Sequence, residues 1–159
     1  MLKYLEPYVY LLYPRKEIVI LVITMHHWLV KTEPEEYSFD DLIKDGKVVW
    51  DGVRNYQARN NLKLMKKGDN VLVYHSGKTK EIIGIAEVTK EHYPDPKDKT
   101  NTWVVIEIVP IKKMKHSFTL EEIKKEKLLL GLPLLKQNRL SVMPVTKEEF
   151  NILTSTKSS

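Results

Sequence analysis

Between Asn70 and Met114 the chain alternates β-branched runs with closely spaced turn formers. This pattern restricts the fold more than any other feature. "NVLVYHS" (70–76) is followed by a turn at Gly77, then by "EIIGIAEVTKE" (81–91). A proline- and charge-rich loop, "YPDPKDKTN" (93–101), leads into "WVVIEIVPIKKM" (103–114), which Pro110 interrupts. Hairpin-like strands in succession leave no room for crossover helices. They predict a small, curled, mostly antiparallel sheet or barrel. Gly84, inside the second run, marks a bulge or a close approach.

The flanks add short elements. "HHWLVKT" (26–32) reads as a strand that stops before Glu33-Pro34, because proline restricts its predecessor and brings no ladder donor. Ser38 with Asp41 forms a capping-box-like start for a helix over 39–44, closed by Gly46. "KVVW" (47–50) is a brief strand. Asn55 is placed to cap the next helix, in which Ala58, Leu62 and Met65 make one buried stripe and Gly68-Asp69 the end. Thr119 with Glu122 opens a helix to about Lys127. "LSVMPV" (140–145) is a last strand, and Thr146 with Glu149 caps a helix to about Leu153. Five or six strands with short rim helices and no visible long βαβ crossover define an α+β domain over 26–154, with a frayed tail at 155–159.

The first 25 residues are apolar in two pieces, broken by Glu6, Pro7 and the run Pro14 to Glu17. Neither piece reaches the roughly 20 apolar residues of a membrane span, and no signal-peptide pattern is present. We read 1–25 as an extension outside the domain, with Ile18–Ile23 an extra strand and Met25 a candidate start. With 42% hydrophobic and 30% charged residues the chain is globular. A formal charge of +5 suits an anionic partner such as nucleic acid. The chain has no cysteine, which removes disulfides, thiolate metal sites and cysteine nucleophiles and fits a reducing, cytoplasmic setting.

The chemistry-bearing residues narrow the function classes. Five histidines form no metal motif, and the adjacent pair His26-His27 cannot face one ion from a strand whose side chains alternate. No metal and no cofactor is expected, since a glycine-rich phosphate loop is also missing. His75 beside Ser76 leaves a hydrolase open. Adjacent residues seldom converge as base and nucleophile, however, and a histidine hydrogen-bonded within a barrel mouth is the simpler reading. Among the tryptophans, Trp28 and Trp103 sit in apolar stretches and read as core. Trp50 ends a strand immediately before the turn Asp51-Gly52, where an indole can wall a site for a flat ring. Core packing is the competing role for Trp50. Lys31 and Thr32 end a neighbouring strand, and Arg54 and Asn55 open a helix.

"HWLVKTEP" (27–34), "WDGVRNYQARNNL" (50–62), "YHS" (74–76), "GIAEV" (84–88), "YPDP" (93–96) and "RLSVMPV" (139–145) together resemble the EVE domain family of the PUA-like superfamily. The resemblance runs in order from His27 to Leu153. It implies a PUA-like mixed β pseudo-barrel and a pocket for a modified nucleobase in DNA or RNA, similar to that of the YTH domain, with Trp50 as one wall. The family pattern falls on Lys31, Trp50, Arg54, Asn55, Arg59, Tyr74, His75, Ser76, Arg139 and Ser141. Thr32 stands where relatives often have Ser, and the loop after "YPDP" is shorter here. The expectation is a non-enzymatic reader: Thr32, Asn55 and Ser76 meet the base's polar edge, and Lys31, Arg54 and Arg59 meet phosphate or base. A general RNA-binding module without modification preference and a hydrolase using His75 are the alternatives.

Overall fold

Strand β4 (His27–Thr32) lies beside strands from both ends of the domain. It runs parallel to β6 (Asn70–His75) and antiparallel to β9 (Val142–Val145). The computed structural model describes residues 25–155 in full. Before them it describes the backbone of three strands, β1 (Lys3–Leu5), β2 (Tyr8–Leu12) and β3 (Ile18–Val22), which form their own antiparallel sheet. The extra strand expected at Ile18–Ile23 is β3, while the expected frayed tail falls mainly on 156–159, outside the described residues. The domain sheet has six strands in the order β5-β8-β7-β6-β4-β9. With several short helices it is an α+β fold.

The middle of the sheet is the hairpin foreseen in the sequence, only longer. β7 (Glu81–Pro94) and β8 (Val104–Thr119) pair antiparallel across several register shifts. Such irregularities bend a strand and raise its twist, which curls the sheet. β7 keeps paired geometry through Tyr93-Pro94, which the proline content assigns to a loop. β8 continues five residues past Met114 to Thr119, because an antiparallel partner sustains a strand whose own sequence has turned polar. β7 alternates buried and half-buried positions, whereas β6 is buried almost throughout, as a parallel neighbour covered on both faces should be.

One expectation fails here. β4 and β6 are parallel, so residues 33–69 do form a crossover. It went unseen because it contains α1 (Phe39–Asp45), then β5 (Val48–Trp50), which leaves for the opposite sheet edge, then α2 (Tyr56–Leu64). The caps are as expected: a full capping box at Ser38, Gly46 closing α1, and Asn55 Oδ1 accepting from Ala58 N–H at 2.9 Å. α3 (Leu120–Lys125) stops two residues early, and a 3-10 turn (Lys127–Leu129) and a short α4 (Pro133–Lys136) follow before β9 and α5 (Lys147–Thr154).

Two contacts show how the core is locked. Gly84 faces the fully buried Phe39 ring: a Cβ there would sit 2.7 Å from Cε2 and closer still to Cζ and Cε1. The close approach read at Gly84 is therefore the seat of α1 on the sheet. Trp28 is core, with its indole N–H donating to Asp69 Oδ2 at 2.9 Å. That buried carboxylate also accepts from the amides of His26 and Lys66, so it ties β4 to the entry of β6. Among the described residues no helix is long and apolar enough to cross a membrane.

Candidate nucleobase cleft

The C-terminal ends of β4 and β6, the edge strand β5 and the segment leading into β9 enclose a cleft of about 660 Å³. That volume is typical of small-molecule sites, which span roughly 300–1,000 Å³. β5 and β9 are opposite edges of the sheet. β5 and the segment that leads into β9 line one cleft, so the two ends of the sheet order meet at the same opening.

One wall is built from Val48, Val49 and Trp50, continued by Asp51, Gly52 and Val53. Trp50 is 8% exposed and sits opposite Ile106 of β8, so its indole packs into the core and also lines the cleft. Gly52 turns the chain at φ +77°, a conformation that disfavours a side chain. Across from this wall lie Lys31 and Thr32, with Ser76 held alongside by its amide donating to Thr32 C=O at 2.9 Å. Lys31 N–H donates to Ser141 C=O at 2.9 Å, which brings Asn138, Arg139 and Ser141 to the same opening. Glu33, Glu36 and Tyr37 complete the rim.

The polar groups divide into spent and unspent. Thr32 Oγ1 donates to Tyr37 C=O at 2.7 Å, leaving its lone pairs as acceptors. Lys31 Nζ donates to Asn138 C=O at 3.1 Å, and burial lowers its pKa. Tyr37 O–H donates to Asp45 at 2.9 Å, and burial with this bond pushes the phenol well above its ordinary value. The side chains of Ser76, Asn138, Arg139 and Ser141 have no hydrogen-bond or ion-pair partner among the described residues. They are donors and acceptors held ready at the opening.

The structure thus gathers Lys31, Thr32, Trp50, Ser76 and Ser141 into one cleft. Other candidates are committed elsewhere and do not line it. Arg54 forms an ion pair at 2.9 Å with Asp95, whose side chain is 1% exposed, so the "RN" and "YPDP" motifs are two halves of one clamp. Asn55 is the α2 cap. Arg59 lies along the outer face of α2, donating to Asn60 and to Thr102 C=O. Tyr74 is buried at 4% exposure.

His75 is buried as well, and its Nε2 accepts the Phe39 N–H at 3.0 Å. This bond puts the ring proton on Nδ1, and burial holds the pKa below its ordinary value despite Glu81 and Asp40 nearby. The Nε2 lone pair is thus occupied by this bond. Trp103 departs from the core assignment too: it is half-buried and its ring lies 5.2 Å from that of Tyr56, tilted by 38°. Sequence reasoning passed over Tyr37 and Asn138. Asn138 had one available signal, the polar run before the last strand, but only the Lys31–Ser141 pairing brings that run to the cleft.

This mixed six-stranded sheet with its edge-strand cleft is an α+β fold, and comparisons make the assignment specific. A family model, the EVE domain, matches residues 26–156. Mouse thymocyte nuclear protein 1 is 34% identical, aligned over 82% of this chain and 73% of its own. Rpa0253 from Rhodopseudomonas palustris is 41% identical with a TM-score of 0.78, covering 82% of this chain and 91% of that one. Human THYN1 protein, solved in complex with 5-methylcytosine-containing DNA, is 33% identical with a TM-score of 0.76 over 81% and 95% of the two chains. The chain belongs to the EVE domain family.

Proposed function

We propose that this protein is a non-enzymatic nucleic-acid reader that holds a single modified base in the cleft beside Trp50. The observation that carries this reading is the pairing of an indole wall with unspent polar side chains at Ser76, Asn138, Arg139 and Ser141. A flat heteroaromatic ring gains stacking on the indole, roughly 1–3 kcal/mol for one base. Its donors and acceptors then find partners on the opposite side, where Arg139 and Lys31 also favour an anionic backbone. The related human THYN1 protein in complex with 5-methylcytosine DNA supports the same ligand class here.

A base enters such a cleft only when it is unpaired or extruded from its duplex. Burying one added methyl contributes about 0.8 kcal/mol. Size alone therefore discriminates weakly, and the polar edge must supply the rest. The test is calorimetry against a panel of modified nucleosides and short strands carrying them. Preference for one modification, lost in Ser141→Ala and Ser76→Ala, supports the reading. Steeply salt-dependent binding indifferent to every modification would select a general RNA-binding module instead. Turnover of a modified nucleoside would make the protein an enzyme.

A further inference from the structure

Beside the cleft, a row of aromatic and guanidinium groups runs from the 95–103 loop onto α2. The Arg54 guanidinium carbon is 5.6 Å from the Trp103 ring centroid, Trp103 is 5.2 Å from Tyr56, and Arg59 is 4.9 Å from Tyr56. Tyr56 is 62% exposed. Its exposed ring is flanked by the tilted Trp103 ring and by the Arg59 guanidinium, an aromatic–cation surface of the kind on which a base can stack. Resting on the proposed base cleft, we infer that this row is a second subsite, where the nucleotide flanking the cleft-bound one stacks at Tyr56 and its phosphate meets Arg59.

Charge favours a nucleic-acid occupant over an apolar one. Arg54 is neutralised by the buried Asp95. Arg59 is held only by neutral acceptors, Asn60 Oδ1 at 3.0 and 3.2 Å and Thr102 C=O at 3.3 Å, and has no carboxylate partner among the described residues. Lys63, one turn further along α2 from Asn60 and Arg59, is exposed and likewise unpaired among them. The loop's other acid, Asp98, is occupied: it accepts from the amides of Thr100, Thr102 and Trp103 and from the Thr100 hydroxyl. A fixed guanidinium lying against an exposed ring, with its charge uncompensated, suits a nucleotide, whose base stacks and whose phosphate pairs.

Position favours a flanking nucleotide. Tyr56 follows Val53, a cleft-lining residue, by three positions. Its Cα is therefore within about 11 Å of Val53 along an extended chain, close enough for the neighbour of a cleft-bound base. The same row explains why Arg54 and Arg59 belong to one sequence motif with Trp50 yet do not line its cleft.

The experiment compares 5-methyldeoxycytidine with two short single strands, one carrying a central 5-methylcytosine and one without it, for the wild-type protein and its variants. Tyr56→Leu should weaken both strands about tenfold, the equivalent of one stacked base. Nucleoside binding and the melting temperature should stay unchanged. Tyr56→Phe should restore strand affinity, because the ring and not the hydroxyl stacks. Arg59→Gln should reduce the slope of log affinity against log salt by about 0.7, one phosphate contact to a single strand.

Wild-type strand affinity in Tyr56→Leu overturns the inference while leaving the cleft reading intact. Equal loss of nucleoside and strand also overturns it, since Tyr56 would then act through the cleft. Equal binding of the two strands with no nucleoside binding overturns the cleft reading; a Tyr56→Leu loss in that case still upholds the stacking surface. A wild-type protein that binds neither strand overturns the inference.

Discussion

Trp50 carries two loads, and its substitutions should separate them. At 8% exposure, opposite Ile106, it belongs to the core cluster as well as to the cleft wall. Trp50→Ala is therefore expected to lose about 3 kcal/mol of stability together with ligand binding. Trp50→Phe keeps an aromatic wall and most of the packing, so it should melt near wild type and bind more weakly. Chemical denaturation beside calorimetry checks both. Arg54 is the contrasting case, because its partner Asp95 is buried and would be left uncompensated. Arg54→Ala should cost about 1–3 kcal/mol in a urea melt, and part of any binding loss in that variant will reflect instability.

At the scale of elements, the joint between α1 and β6 is pH-sensitive. His75 Nε2 must be unprotonated to accept the Phe39 amide, and burial lowers its pKa from 6.5. A base whose folded pKa is depressed contributes stability above its unfolded value, and that contribution fades as pH falls. Stability should hold above about pH 6.5 and decline on acidification below it. His27, stacked at 4.2 Å on Phe150 with a pKa also lowered by burial, adds to the decline. His75→Gln retains an acceptor that cannot titrate. Urea melts between about pH 8 and pH 5 should show a shallower acid-side loss in this variant.

Across the whole molecule, protection should follow sheet order. β4, β6, β7 and β8 lie inside the sheet, while β5 and β9 are its edges, with three and four residues. Edge strands open locally at low cost, whereas central ladders open only with the fold. Hydrogen exchange is expected to be slowest in β6 and β7 and faster in β5 and β9. The cleft is thus walled partly by the most readily opened elements. A base bound as proposed, against β5 and the segment that leads into β9, should slow exchange there most.

Local patterns settled a good deal. The caps at Ser38, Asn55, Thr119 and Thr146 follow from side chains a few residues apart, and all four form. The buried stripe Ala58–Leu62–Met65 and the run of short strands were legible for the same reason: periodicity and turn chemistry act over short range. The ordered motifs also carried the family. Tertiary structure alone decided which motif residues share the cleft. Polar side chains choose among partners distant in sequence, and sequence position does not rank those partners. Arg54 found Asp95, His75 found the Phe39 amide, and Trp103 left the core for Tyr56. The parallel β4–β6 pairing and the long β7–β8 ladder likewise depend on hydrogen bonds between distant segments. The chain by itself determined its elements and its family; the pairing of segments distant in sequence decided which side chains line the cleft beside Trp50.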